Sequence, residues 1–249
     1  MNLYEETLKK YWGYDKFRPM QLEIVESVAS GQDTLGLLPT GGGKSITFQV
    51  PTMAKPGICI VVTPLIALMK DQVANLKQRG IKAYAIYTGI SKSEIDTILN
   101  NCVYGEIKFL YVSPERLSTK IFQMRFKDRN VNLIAIDEAH CISQWGYDFR
   151  PAYLKIANIR QLQPNVPILA LTATATPNVV EDIQERLMFA KKNVFQKSFE
   201  RTNLVYWVKQ SENKDQDLLR IAKRNSATAI VYVRNRKKTK QVAEFLQNN

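Results

Sequence analysis

The chain has 249 residues, enough for one full α/β domain and the start of another. Its 45% hydrophobic and 23% charged content argue against disorder, and no apolar run reaches the length of a membrane span. The 35 Lys and Arg against 23 Asp and Glu leave a formal charge of +12, which points to a polyanionic partner, nucleic acid being the commonest. Charge alone does not separate DNA from RNA or from an anionic membrane. Cys59, Cys102 and Cys141 are far apart and form no C-x-x-C pair, which fits thiols in a reducing compartment rather than a disulfide framework. With His140 the only histidine, a Cys/His zinc site is not expected. The polar, amphipathic start has no signal-peptide core, so a soluble intracellular protein is expected.

In chain order, short β-rich runs alternate with longer helical patterns. Residues 34–38, 58–63, 83–87, 107–112, 131–136 and 167–172 predict strands, several of them almost continuously apolar, as when helices cover both faces of a parallel sheet. Residues 20–30, 44–51, 65–79, 94–101, 152–162 and 177–188 predict helices. The alternation implies βαβ units wound into a parallel sheet. The pattern changes near residue 200: a fresh apolar run starts at 203–209, followed by a helix at 215–224, a strand at 228–233 and a helix at 238–246. Two units are therefore expected, 1–200 and 201–249, the second too short to stand alone as an α/β domain.

The first strand runs into Thr40-Gly41-Gly42-Gly43-Lys44-Ser45, and a helix pattern follows. Glycines let backbone N–H groups approach phosphate oxygens without Cβ interference, and a helix N-terminus adds positive potential. Lys44 is placed for the β- and γ-phosphates, and Ser45 offers a hydroxyl to Mg²⁺. The strict phosphate-loop pattern has glycine where this chain has Leu38, a departure outside the contacting segment. The apolar strand 131–136 ends in Asp137-Glu138-Ala139-His140. A carboxylate at the C-terminal end of a central strand sits where such sheets bind ligands. Asp137 suits the metal shell, and Glu138 the orientation and deprotonation of an attacking water. Beyond it, Trp145, Tyr147, Phe149 and Arg150 interleave aromatics with a cation, as a stacking surface for unpaired bases requires, and Gly146 and Asp148 between them argue for a loop.

The phosphate loop together with Asp137-Glu138-Ala139-His140 resembles a superfamily 2 helicase, and the blocks between them resemble the RecQ family in particular. Thr63-Pro64-Leu65-Ile66-Ala67-Leu68-Met69-Lys70-Asp71-Gln72 resembles its motif Ia, Tyr111-Val112-Ser113-Pro114-Glu115-Arg116-Leu117 its motif Ib, and Leu171-Thr172-Ala173-Thr174-Ala175-Thr176 its motif III. Upstream, Gly13 to Gln21 resembles motif 0, and residues 229–236 resemble motif IV.

The resemblance implies a RecA-like P-loop NTPase domain and the start of a second one. It also implies ATP and Mg²⁺ as cofactors, 3′ to 5′ DNA unwinding in repair or recombination, and a cytoplasmic, nucleoid-associated location in a bacterium. Through it Tyr14 or Arg18 packs on adenine and Gln21 reads its edge. The loop holding Trp145, Phe149 and Arg150 couples DNA contact to hydrolysis beside His140, Thr172 and Thr174 link nucleotide state to the partner lobe, and Arg236, the best-matched residue of motif IV, joins the DNA-binding and coupling set. The family usually has histidine where this chain has Tyr147. Its motif VI arginine finger and its zinc and winged-helix region have no counterpart here, so the chain alone is expected to bind ATP but to hydrolyse it poorly. A different class stays open: a nucleotide-gated nucleic-acid binding or translocase module without unwinding.

Overall fold

Helix α1 (Leu3–Trp12) starts on a capping box, with the Asn2 side chain accepting from Glu5 N–H and the Glu5 carboxylate from Asn2 N–H. The computed structural model describes residues 2–127, 129–146, 148–196 and 204–249. Among these described residues seven strands follow: β1 (Thr34–Leu37), β2 (Ile58–Val62), β3 (Ala83–Ile86), β4 (Phe109–Val112), β5 (Val131–Ile136), β6 (Ile168–Thr172) and β7 (Val194–Gln196). They form one parallel sheet in the order β3-β4-β2-β5-β6-β1-β7. The six predicted strands of this region are therefore present within a residue or two. The edge strand β7 carries too little apolar pattern to be legible and exists through its pairing with β1.

Strand alternation sorts the side chains onto two faces. Ile58, Ile60 and Val62 join a core under α5 (Lys92–Tyr104), α6 (Lys120–Phe126) and α8 (Pro177–Arg186), where Ile95, Phe122 and Ile183 are buried. Cys59 and Val61 join the core under α2 (Gln21–Ala29), α3 (Ile46–Met53) and α4 (Ile66–Gln78), where Ile24, Phe48 and Met69 are buried. Burying one such large apolar side chain contributes about 1.5–3 kcal/mol, so the double-faced core dominates this unit's stability.

Three local expectations change. Helix α3 starts two residues after Lys44 and runs past Pro51 to Met53; the bond lost at the proline is offset by burial of every side chain from Thr47 to Thr52. Residues 152–162 form a 3-10 helix, Pro151–Asn158, closed by one α turn, α7 (Ile159–Leu162). Tyr153, Ile156 and Ile159 are buried at three-residue spacing, the 3-10 period, so packing selects the tighter winding. The run 228–233 forms no strand: Ile230 and Tyr232 are 75% and 88% exposed, and no described segment offers that run a ladder partner.

The chain divides into two compact units, Met1–Phe199 and Glu200–Asn249, and the expected boundary at 200/201 lies outside the described residues, as does Asn203. The second unit carries α9 (Lys214–Arg224) and α10 (Arg236–Gln247), joined by a Lys238–Asp215 ion pair at 3.1 Å. Among the described residues no helix is long and apolar enough to cross a membrane.

In the centre of β1, a Cβ on Gly36 would lie 2.9 Å from Leu171 Cδ2 and 3.1 Å from Ile24 Cδ1. Gly36→Val is therefore expected to cost about 1–3 kcal/mol in denaturant unfolding; an unchanged midpoint would mean that α2 sits farther from the sheet.

Candidate nucleotide and nucleic-acid site

The C-terminal ends of β1, β5 and β6 converge, because a parallel sheet delivers all its strand ends to one edge. Leu38 N–H donates to the Thr172 carbonyl, tying β1 to β6, and Asp137 N–H to the Val62 carbonyl, tying β5 to β2. From β1 the chain turns through Gly41 and Gly43, both at positive φ (77° and 75°). A Cβ on Gly42 would stand 2.7 Å from the Pro39 carbonyl, so the loop closes only around glycine. Thr40, Lys44 and Ser45 lie in this turn, just ahead of α3.

Motif 0 grips the loop from outside. The Arg18 guanidinium donates to the Gly41 carbonyl at 2.6 Å, and the Gln21 amide donates to the Gly42 and Gly43 carbonyls at 3.1 and 3.0 Å. Gln21 also accepts from Arg18 N–H at 2.9 Å, so both its donors and one lone pair of its oxygen are engaged within the protein. Tyr14 is half exposed on the wall of an adjoining cavity of about 360 Å³, which also has Arg18 and Gln21 in its lining.

Across the loop, Glu138 adopts φ 49°, ψ 45°, a left-handed backbone that costs a non-glycine residue about 1–3 kcal/mol and persists only where surroundings enforce it. Its carboxylate meets two partners, Lys44 Nζ at 3.8 Å and His140 Nδ1 at 3.4 Å. An ion pair that long and partly exposed is worth at most about 1 kcal/mol, so Lys44 is easily won over by a phosphate. Asp137 is held from below: Tyr153 O–H donates to its carbonyl at 3.0 Å, and its own Oδ1 accepts from Glu138 N–H at 3.0 Å. Burial, then the neighbouring Glu138 charge, pushes the Asp137 carboxyl above its ordinary range, with Lys44 pulling the other way. Two carboxylates facing one lysine leave surplus negative charge, the condition a divalent cation satisfies, and Ser45 and Asp137 are the residues that would hold it.

His140 is the junction. Its Nδ1 lies 2.9 Å from Thr172 Oγ1, whose own hydrogen goes to the Thr174 carbonyl at 3.1 Å, so the imidazole is the donor to Thr172. Burial holds the ring's pKa below its ordinary value, which keeps it neutral. The aromatic loop leaves from this point. Trp145 is 75% exposed, while Phe149 and Arg150 are half-buried; Tyr147 lies outside the described residues. The loop is tied to its root by Arg150 N–H donating to the Cys141 carbonyl, by an Arg150–Asp148 ion pair at 3.1 Å and by a Cys141 thiol contact to Asp148 at 3.6 Å.

The structure thus brings Lys44, Ser45, Asp137, Glu138, His140 and Thr172 together, with Tyr14, Arg18 and Gln21 beside the loop. Arg236 opens α10 in the second unit. Tyr153, Asp148 and Cys141 were not foreseen as supports. Asp148 was legible as the lone acid in the aromatic run, whereas nothing local marks Tyr153.

The sequence model of the DEAD/DEAH box helicase family matches residues 18–183, two thirds of the chain, and the chain belongs to that family. Among curated relatives, it is 44% identical over 98% of its length to the ATP-dependent DNA helicase RecQ of Bacillus subtilis (strain 168), covering 42% of that protein. It is 38% identical over 97% of its length to the RecQ of Haemophilus influenzae, covering 39%. The chain therefore spans about two fifths of the relatives it matches, and the RecQ resemblance in its motifs is borne out. Among solved structures, the DUF1998 helicase MrfA superposes over 99% of the chain and 40% of its own, with TM-score 0.75 and 18% identity, a likeness of fold.

Because the Asp137 carboxyl is shifted upward, its ionised form opposes folding. The penalty is absent below the ordinary carboxylate value, sets in as pH rises through the raised one, and is complete above it. Asp137→Asn keeps the acceptor for Glu138 N–H and is expected to raise the thermal midpoint of the ligand-free chain near neutral pH, with a gain that shrinks towards about pH 4. A lower midpoint at both pH values would contradict the burial argument.

Proposed function

We propose that this chain is the nucleotide-binding motor lobe of an ATP-dependent DNA helicase of RecQ type, with residues 1–200 as the first RecA-like lobe and 201–249 as the opening of a second. The observation that carries the reading is the unbroken path Lys44–Glu138–His140–Thr172, with the aromatic loop rooted at its midpoint. Lys44 and the loop N–H groups hold the β- and γ-phosphates of ATP. Glu138 orients a water against the γ-phosphorus and takes its proton as the bond to the β-phosphate oxygen breaks. Mg²⁺, held by Ser45 and Asp137, neutralises phosphate charge when bound.

Single-stranded and partly duplex DNA is the proposed partner. Trp145, exposed at the loop tip, with Phe149 and Arg150 behind it, supplies base stacking. For the phosphates, the Thr63 and Ser113 hydroxyls lie buried at the adjacent ends of β2 and β4 with no hydrogen-bond partner among the described residues. These two strand ends lead into α4 and the 3-10 turn at Pro114, the segments proposed to meet a DNA phosphate backbone. Translocation runs 3′ to 5′ and serves repair or recombination in the cytoplasm. ATP hydrolysis also needs an arginine from an opposing lobe, a group worth about three to five orders of magnitude in rate.

The test is nucleotide binding and ATP turnover by the purified chain, with and without single-stranded DNA, beside Lys44→Ala. The expected result is Lys44-dependent ATP binding with negligible turnover. Brisk DNA-stimulated turnover would overturn the requirement for an opposing arginine, and binding indifferent to Lys44→Ala would overturn the nucleotide site.

A further inference from the structure

We propose that His140, Cys141 and Asp148 form a binding site for a thiophilic divalent cation of the zinc type, and that the bound ion clamps the aromatic loop away from DNA. The binding half stands on the geometry alone; the effect on DNA rests on the helicase reading above. One donor atom from each of the three side chains lies within 4.8 Å of the other two. Cys141 Sγ and Asp148 Oδ2 are 3.6 Å apart. Zinc bonds of about 2.3 Å to sulfur and about 2.0 Å to oxygen, at a tetrahedral angle, put two such ligand atoms about 3.5 Å apart. The thiol and the carboxylate therefore already stand at the spacing of a shared ion.

The fold builds this cluster on one turn. His140 and Cys141 are consecutive in the 3-10 turn Ala139–Ile142, which follows the left-handed Glu138. Arg150 N–H donates to the Cys141 carbonyl, which brings the chain back over that turn and returns Asp148 to Cys141. His140 and Cys141 are buried and the Asp148 side chain is half-exposed, so two donors sit in the frame and the third stands at the entrance. The imidazole donates from Nδ1 to Thr172, which fixes its tautomer and puts the lone pair on the other ring nitrogen, the form that ligates metal. A thiol, an imidazole and a carboxylate make a borderline-soft set that selects zinc over magnesium. The ion displaces the thiol proton to solvent, and thiolate and carboxylate together balance its two positive charges. Three protein ligands leave a fourth position to water, so this is an open site and not a closed structural one.

Cys141 lies at the root of the aromatic loop and Asp148 within it, so an ion held by both pins the loop to the frame. Asp148 Oδ2 also pairs with Arg150 at 3.1 Å. The metal-loaded loop keeps Phe149 and Arg150 half-buried behind Trp145, and they are no longer free to turn towards unpaired bases.

The experiment is titration of the tag-free chain with Co²⁺ in excess Mg²⁺, followed by absorption, for the parent, Cys141→Ser and Asp148→Asn. Cobalt takes the ligands zinc takes and reports them through a thiolate charge-transfer band and tetrahedral ligand-field bands, while Mg²⁺ keeps it off Ser45 and Asp137. The parent is expected to show both sets of bands and to lose them on addition of Zn²⁺. Cys141→Ser is expected to lose the charge-transfer band, and Asp148→Asn to bind about tenfold more weakly. Asp148 is half-exposed, so its variant keeps the test open should the buried Cys141 change disturb folding. No charge-transfer band in the parent, the same band in Cys141→Ser, or unchanged affinity in Asp148→Asn would overturn the site. The second arm is single-stranded DNA affinity with and without Zn²⁺, expected to fall about tenfold in the parent, to recover with a chelator, and to be indifferent to zinc in Cys141→Ser. Parent affinity indifferent to zinc would overturn the clamp. A parent that binds no single-stranded DNA under either condition would instead remove the nucleic-acid reading, and the cobalt bands would still decide the ion site.

Discussion

Everything at the strand-end edge depends on Glu138, held at a backbone angle that few side chains adopt and shared between Lys44 and His140. That twist brings the carboxylate back over the phosphate loop while the next residues set off towards Thr172 and the aromatic loop. In a regular strand continuation, side chains alternate faces, and one carboxylate would not reach both partners. The strain is of the same order as one good hydrogen bond, and the double-faced core of β5 and its neighbours is ample to hold it.

The site is a set of weak, exchangeable contacts on a rigid frame. Lys44 leans on Glu138 at a distance too long for a strong pair, while Arg18 and Gln21 hold the carbonyls of the glycine loop. Asp148 does the same for Arg150, whose neighbourhood holds the Asp148 carboxyl below its ordinary range. Each cationic or amide group that the proposed mechanism needs is thus held in readiness by a partner it can leave cheaply. The frame beneath is not exchangeable: Tyr153 fixes Asp137, and the buried Asp33 carboxylate takes Arg160 at 2.7 Å and Ile168 N–H at 2.9 Å, pinning the start of β6.

The sheet was legible in the sequence because its central strands are buried on both faces and read as unbroken apolar runs. The phosphate loop and Asp137-Glu138-Ala139-His140 were legible because backbone-phosphate contact and metal chemistry restrict residue types at fixed spacing. What escaped was set by tertiary context. β7 has no pattern of its own, the 3-10 winding after Pro151 answers to Tyr153, Ile156 and Ile159 finding one face, and the run 228–233 has strand composition but no partner among the described residues. Gln21 is the instructive residue: an amide suited to adenine by its chemistry is engaged, in this arrangement, by the glycine loop beside it.

If nucleotide and nucleic acid are sensed at one side chain, as proposed, His140 offers a direct probe, because it is the only histidine in the sequence. Selective ¹⁵N labelling of histidine gives a single imidazole signal, expected in the neutral form protonated on Nδ1. On this proposal the signal moves on addition of Mg·ATP and moves again, separately, on addition of single-stranded DNA. A signal that answers to nucleotide and is indifferent to DNA would contradict it, and would leave the aromatic loop unconnected to the phosphate site.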